Sequence, residues 1–600
     1  MDSHDHISVI EALSCLGDLP LKCLSEMIKL LGSKRVPAQQ PIFQQDDHPS
    51  DEVYFIGSGR LSKFEGGVFS GSIVRGQIAG WDSFFHECPR DHSLIADNDC
   101  YLYVLKRQDM NELVERHPAI LSGFLMAATP VPTTSKKVTA LRANRQVGVF
   151  IFEDLQEEAD VVFDRLMACY NDHTTINRYS CQAFCELAKV TDNHNELFSP
   201  LAADVFAHLE SDNDTVFYTA TADDSHEWLQ KITTQVDSLI LVVKDTTNTL
   251  PEWFTDFLKT WKKKPGLVVL RTEEGDFDRR VLAIWDLFEP EWHYRLHIED
   301  DHKWGSVRRM ALGRAVNLVL SGGGCLGAIH CGILKSFKDL GFPVDTIGGA
   351  SAGAGIAAGY GLGNSPEVTA ERFRYAFTTK KPFKAYTLPY YGLINPSRLE
   401  RVVKEISEDY LLEESHMPVH MVVTNLTKSC EEVVTTGPVW EAIRMTVSLP
   451  AMLPPYVKNG CLYIDGGIIN NFPISIARQR YSGRYVGITF DIPSDELVTY
   501  SYEDRPNGLQ ATLAALNITK PHAFPSLGEV LSDSLMLSST SGLQEAVKHV
   551  DFLLHPPVPP NVGVTSFERF DELYEIGVKY GEEYVSKLKT AGTFTELTAF

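Results

Sequence analysis

The segment Ala315-Val316-Asn317-Leu318-Val319-Leu320 runs without a break into Ser321-Gly322-Gly323-Gly324-Cys325-Leu326-Gly327, and a helical pattern follows to about Leu340. An apolar run of this length reads as a buried strand, and buried strands alternating with helices build a parallel sheet. A strand, a glycine loop and a helix start bring several unpaired backbone N–H groups to one point, at the positive end of the helix dipole. Such a point suits an anion, either a phosphate or a developing oxyanion. Glycine is needed there because a side chain would block close approach. The spacing Gly322, Gly324, Gly327 also satisfies G-x-G-x-x-G, so dinucleotide binding stands beside an oxyanion hole at this stage.

The next strand separates the two. Pro343-Val344-Asp345-Thr346-Ile347-Gly348 ends in Gly349-Ala350-Ser351-Ala352-Gly353, a G-x-S-x-G at a strand-to-helix corner. Small neighbours permit the strained turn that lifts a serine oxygen above the strand ends. The following Ala354-Gly355-Ile356-Ala357-Ala358-Gly359 is rich in small residues and can pack close beside the glycine loop; the bland alternative is a tight Gly/Ala helix with an incidental serine. A serine hydroxyl needs a base. His522, His549 and His555 lie downstream in weakly patterned sequence, whereas Cys461-Leu462-Tyr463-Ile464 is a short strand that delivers Asp465-Gly466-Gly467 at its end. Strand ends are where the sites of open α/β sheets collect, although an isolated Asp-Gly-Gly is more often an ordinary turn.

Along the 600 residues four regions are expected: 1–135, 136–310, 311–480 and 481–600. The first reads as short strands with turns, the second as an α/β region with no Walker-type glycine loop after any strand, and the last as mostly helical. With 55 Lys+Arg against 79 Asp+Glu the net charge is -24, which repels phosphate backbones, so no nucleic acid is expected as partner. The 11 cysteines contain no C-x-x-C pair, and Cys181 with Cys185 has no second pair beside it, so neither a disulfide framework nor a metal site is expected. The start Met-Asp-Ser-His-Asp-His lacks a signal peptide's basic and apolar regions, and no apolar stretch reaches the ~20 residues of a spanning helix. The expectation is a cytoplasmic chain that meets a membrane or micelle surface peripherally. Lys380-Lys381-Pro382-Phe383-Lys384-Ala385-Tyr386 with Leu388, Tyr390 and Tyr391 has the cations and aromatics suited to a headgroup boundary, or alternatively to covering an acyl-chain pocket.

Gly322-Gly323-Gly324-x-x-Gly327, Gly349-x-Ser351-x-Gly353 and Asp465-Gly466-Gly467, in that order, resemble the patatin-like phospholipase family. Arg444, Ser448, Pro450, Pro454 and Pro455 match the segment leading to the Asp-Gly-Gly strand, and residues 285–320 with Gly577 and Gly581 look like the neuropathy target esterase branch. The resemblance implies a multidomain chain whose catalytic part is an α/β fold with an open, mostly parallel sheet. It implies a Ser351 nucleophile with Asp465 as base, an oxyanion hole at Gly322, Gly323 and Gly324, no cofactor, and a lysophospholipid or phospholipid ester as substrate. Leu326 departs from the Arg or Lys of many members. The stretch 10–130 resembles a cyclic nucleotide-binding β-roll through Phe43–Asp47, Tyr54–Leu61 and Pro89-Arg90. Such a domain holds the cyclic phosphate with Arg, here Arg90, and the ribose with a Glu after a glycine. Here Trp81 follows Gly80 and His92 stands where a small residue belongs, so the roll reads as degenerate and no cyclic nucleotide is expected. The alternative reading is a weak or dead patatin fold serving as a nucleotide-binding or scaffold protein.

Overall fold

The computed structural model describes residues 13, 16, 19, 21–74, 77–86, 88–118, 120, 121, 124, 146–167, 176–213, 215–260, 264–271, 279–388, 390–490, 542–560 and 562–598. The chain forms two compact units, 1–292 with 297–313, and 293–296 with 314–599.

The first unit opens on a β-roll of two four-stranded sheets. Gly32–Val36, Cys100–Lys106, Glu52–Ser58 and Ile78–Ala79 form one; Pro41–Phe43, Ser93–Ala96, Arg60–Glu65 and Val68–Val74 form the other. All their pairings are antiparallel. The stretch Tyr54–Leu61 breaks into two strands at Gly59, whose φ of 88° only glycine adopts without strain. An α/β sheet follows, in which Ile176–Tyr179, Thr215–Thr221, Gln146–Ile151, Ser238–Lys244 and Gly266–Leu270 lie side by side in that order. The pairings among these strands are parallel, and Gln146–Ile151 and Gly266–Leu270 are buried throughout, as parallel strands covered on both faces are. Its edge strand Ile176–Tyr179 carries Asn177 and Arg178 and gives no apolar signal in sequence.

In the second unit the strands are β1 (Ala315–Leu320), β2 (Thr346–Ala350), β3 (Val419–Asn425), β4 (Cys430–Val434), β5 (Tyr456–Lys458), β6 (Cys461–Asp465), β7 (Gly483–Ile488) and β8 (Phe552–Leu554). The sheet order is β5-β6-β3-β2-β1-β7-β8, with β4 also on β3. The pairings β1–β2, β1–β7, β2–β3 and β7–β8 are parallel, and those made by β4, β5 and β6 are antiparallel. The sheet is therefore open and mostly parallel, and residues beyond 480 supply two of its strands. The helices that matter for the site are α1 (Gly327–Leu340), α2 (Ser351–Gly361), α3 (Pro366–Arg374), α4 (Pro396–Ser407), α5 (Val439–Thr446) and α6 (Phe570–Thr590). Every residue of β1 and β2 is buried; Val316, Leu318, Leu320 and Ile347 join Ile329, Ile333, Ala354, Ala357, Leu573 and Val585 in one core, while Val319 packs with Phe472 and Ile474 in another. The long α6 has Asp571 and Glu572 in its first turn and Lys587 and Lys589 in its last, complementing the helix dipole at both ends.

Candidate functional site

β3 brings the site together. It pairs with β2 along Val419–Val422 and with β6 along Val423–Asn425, while β4 takes Met421–Asn425. Because β4 occupies one edge of β3 over that whole stretch, β2 and β6 must lie end to end on the other. Ala350 sits opposite Val422, and Asp465 opposite Val423. The last residue before Ser351 and the carboxylate of Asp465 thus become neighbours across 114 positions of sequence, and the Ser351 hydroxyl donates to Asp465 Oδ2 at 2.7 Å.

Ser351 turns the chain from β2 into α2 with φ of +50°, the left-handed region that costs a side-chain-bearing residue energy. The turn fits only because its neighbours have no side chains. A Cβ on Gly349 would stand 2.3 Å from the Leu320 carbonyl, and one on Gly353 would stand 2.5 Å from the same oxygen. The end of β1 therefore presses directly on the corner. Thr446 holds it from the other side: its hydroxyl accepts from the Ser351 N–H at 2.9 Å and donates to the Val422 carbonyl at 2.7 Å.

Asp465 is 4% exposed. Its Oδ1 accepts from the Gly467 N–H at 2.8 Å, its own N–H donates to the Ser448 carbonyl, and Thr424 donates to its carbonyl. Burial raises its pKa to about 6, against the opposing effect of the Ser351 and Gly467 hydrogen bonds. A carboxylate that titrates near 6 is ionised at neutral pH and still basic enough to take a hydroxyl proton in a transition state. Arg444, 1% exposed, braces the segment ahead of β6 by donating to Glu400, to Ser448 and to the Pro454 carbonyl.

In the glycine loop the N–H of Gly322 donates to the Asn471 carbonyl at 3.1 Å. Its expected part in an oxyanion hole therefore differs from its observed use, because a backbone donor already engaged inside the fold is not presented to a ligand. Leu326 N–H donates to the Gly323 carbonyl and Cys325 N–H to the Val564 carbonyl. The N–H groups of Gly323 and Gly324 have no partner among the described residues. Gly327 begins α1, and Gly466 lies at the close of β6 with a Cβ position 2.1 Å from the Val422 carbonyl. Asn471 was not singled out in the sequence, yet its side-chain oxygen lies against both Gly322 and Gly467 and so ties the two glycine loops together. The Asn470-Asn471 pair shortly after Asp-Gly-Gly is the signal that could have found it.

None of the histidines considered as bases contacts Ser351 among the described residues. His549 pairs with Glu545, His555 Nδ1 faces the Thr489 carbonyl, and His522 lies outside the described residues. His330 and His420 are fully buried, and burial lowers them to about 4 and about 3.

Beside Ser351 opens a pocket walled by α2, α3, α4 and α5, with Ile356, Phe373, Phe377, Val403, Val439 and Ile443 among its lining residues. In the β-roll, Arg90 is 3% exposed, donates to the Gly80 carbonyl at 2.8 Å and stacks over Phe43. Its Nη2 is buried with no hydrogen-bond partner among the described residues. The adjoining pocket is lined by Trp81, Asp82, Asp91, His92 and Lys63. One donor atom each from Asp82, Asp91 and His92 lies within 4.8 Å of the others, a set that can hold a cation, although Lys63 in the same pocket opposes one.

This geometry agrees with comparison to known proteins. Residues 318–478 match the family described as patatin-like phospholipase, and residues 33–117 match the cyclic nucleotide-binding domain. The chain contains a patatin domain and, ahead of it, a cyclic nucleotide-binding-type β-roll. More particularly, it is similar to NTE family proteins. An uncharacterized NTE family protein of Mycobacterium tuberculosis is 24% identical over 579 residues, covering 96% of this chain and 95% of that protein. The lysophospholipase nte1 of Aspergillus terreus is 25% identical over 663 residues, covering 93% of this chain and 42% of its own length. That of Emericella nidulans is 30% identical over 303 residues, covering 48% of this chain and 19% of its own length. The chain thus spans less than half of these fungal relatives.

Proposed function

We propose that the protein is a serine esterase that hydrolyses the acyl ester of lysophospholipids or phospholipids through Ser351 and Asp465. The observation that carries this reading is the 2.7 Å hydrogen bond from the Ser351 hydroxyl, on a strained strand-to-helix corner, to a buried carboxylate. Ser351 Oγ attacks the acyl carbon as its proton passes to Asp465 Oδ2. The oxyanion that forms is met by the N–H groups of Gly323 and Gly324, each such donor contributing on the order of 10²-fold or more in rate. The proton on Asp465 then goes to the departing alcohol, an acyl-Ser351 ester remains, and Asp465 takes a proton from the water that attacks it. No cofactor enters any step. The acyl chain takes the apolar pocket beside Ser351.

In this reading residues 311–480 hold the chemistry, described residues of 481–600 complete its sheet and core, and 1–135 and 136–310 serve to locate or regulate it. Trp81, which lines the roll's pocket where a Glu would accept from a ribose, supports the view of the β-roll as a docking module. The substrate reaches the site from a membrane or micelle surface met through the exposed Tyr386, Leu388, Tyr390 and Tyr391.

The test is covalent. A fluorophosphonate probe should label the wild type and not Ser351→Ala, and fatty-acid release from a panel of phospholipids and lysophospholipids should vanish with the label. Labelling that persists in Ser351→Ala sinks the proposal. Asp465→Asn should cut kcat by at least about 10²-fold, the usual loss of a general base; turnover near wild type would move the base elsewhere.

A further inference from the structure

The pocket beside Ser351 has a direction. Ser351, Gly355, Gly359 and Leu362 all line it, and their spacing of four, four and three puts them on one stripe of α2. At 1.5 Å of rise per residue the stripe from Ser351 to Leu362 runs roughly 16 Å. Its first two steps are glycines. A Cβ built on Gly355 meets no atom within 4 Å, so the space above that residue is the pocket itself. At Gly359 a Cβ would come 3.1 Å from Thr369 Cγ2, so α3 closes in as the stripe proceeds. From Gly359 onward the lining turns polar: Asn364 donates to the Gly359 carbonyl, Thr369 stands over Gly359, and Arg372 and Ser407 line the same pocket. Thr369 is 4% exposed and its hydroxyl has no hydrogen-bond partner among the described residues. Arg372 is fastened there by donating to the Ile406 carbonyl at 2.6 Å and to Glu408.

Resting on the reading of Ser351 as nucleophile, we propose that this stripe is an acyl-chain gauge that selects medium-length chains, with Gly355 as its specificity-determining residue. Bonds of ~1.5 Å project to about 1.3 Å per carbon along an extended chain, so roughly a dozen carbons fill the groove. Beyond that the chain meets polar groups whose desolvation it cannot repay. Gly355 lies about 6 Å along the axis from Ser351, so a side chain there stops the acyl chain after four or five carbons. Because the Cβ position of Gly355 meets no atom within 4 Å and the residue is helical, a side chain can start there without strain.

The experiment compares kcat/KM on p-nitrophenyl esters of 4, 8, 12 and 18 carbons for wild type and Gly355→Leu, with thermal unfolding of both. Wild type should climb to about 12 carbons and gain nothing at 18. Gly355→Leu should lower the 12-carbon to 4-carbon ratio by at least about tenfold, since excluding even one methylene is worth that much. A ratio within about twofold of wild type in folded Gly355→Leu overturns the gauge while leaving the esterase reading intact. Hydrolysis of none of the esters by wild type overturns the esterase reading instead, and the gauge with it. If Gly355→Leu fails to fold, Gly355→Ala and inactivation of wild type by alkyl fluorophosphonates of the same four lengths decide. A continued rise in inactivation rate from 12 to 18 carbons, or an unshifted profile in Gly355→Ala, rejects the gauge.

Discussion

At the scale of single residues, Asp465 sets both the pH response and a cost in stability. Its pKa of about 6 in the fold, raised from 3.8 by burial, means that the ionised form predominates only above about 6. The rate should therefore rise with pH through a midpoint near 6 and level off above 7, and a profile flat down to pH 4 would remove Asp465 as the base. Between about 4 and 6 the folded state holds this proton more tightly than the unfolded chain does, so its contribution to stability falls as pH rises through that window. A shift of roughly two units corresponds to about 3 kcal/mol that the fold forgoes above pH 6. Asp465→Asn should accordingly unfold at a higher temperature than wild type at pH 8 and at nearly the same temperature at pH 4. Equal midpoints at pH 8 would show that the buried charge is not costly. Ser351 and Asp465 were legible because a serine between glycines and an aspartate before two glycines are local signals at strand ends. Thr446 and Asn471 were not, since a threonine late in a helix and an asparagine just past the short helix Gly467–Asn470 become partners of the site only when β3 and the glycine loop arrive beside them.

Elements show a second kind of constraint. Helices α1 and α6 cross with almost no space between their backbones: a Cβ on Gly332 would lie 2.2 Å from the Tyr574 carbonyl, and one on Gly577 would lie 2.3 Å from the Ile329 carbonyl. Carbonyl oxygens cannot swing aside as side-chain ends do, so the helices would have to part. Gly577→Val should cost about 3 kcal/mol or more, read as a lower midpoint in thermal unfolding; an unchanged midpoint would mean the helices part freely. Because α1 starts at the glycine loop, the same variant should also lower the esterase rate. The run β1-loop-α1-β2-corner-α2 could be read directly, each piece being apolar run, glycine cluster and helix in turn. The strands Gly483–Ile488 and Phe552–Leu554 escaped notice in a stretch expected to be mostly helical, because β7 mixes Arg484 and Tyr485 with its apolar residues and β8 has only three residues.

On the scale of the whole molecule the net charge of -24 argues against a broadly basic membrane face. The exposed loop runs against that sign. Tyr386, Leu388, Tyr390 and Tyr391 are 76%, 76%, 85% and 84% exposed, and Lys381 and Lys384 beside them have no ion pair among the described residues. No described helix is long and apolar enough to cross a membrane. Contact through this loop should make the protein pellet with phosphatidylserine-containing vesicles at low salt. Tyr390→Ser with Tyr391→Ser should reduce pelleting severalfold without changing hydrolysis of a short soluble ester; pelleting unaffected by the pair would assign membrane contact to another surface. The sequence by itself determined the order of chemical groups, glycine loop, serine corner and aspartate turn, together with the alternation that makes a parallel sheet, because each depends on residues within a few positions of one another. Only the tertiary structure decided that Ser351 and Asp465 meet, that the Gly322 N–H is spent on Asn471, and how far the acyl groove runs. Those outcomes depend on which strand shares an edge with which, and on burial, and neither is a property of any short stretch of chain.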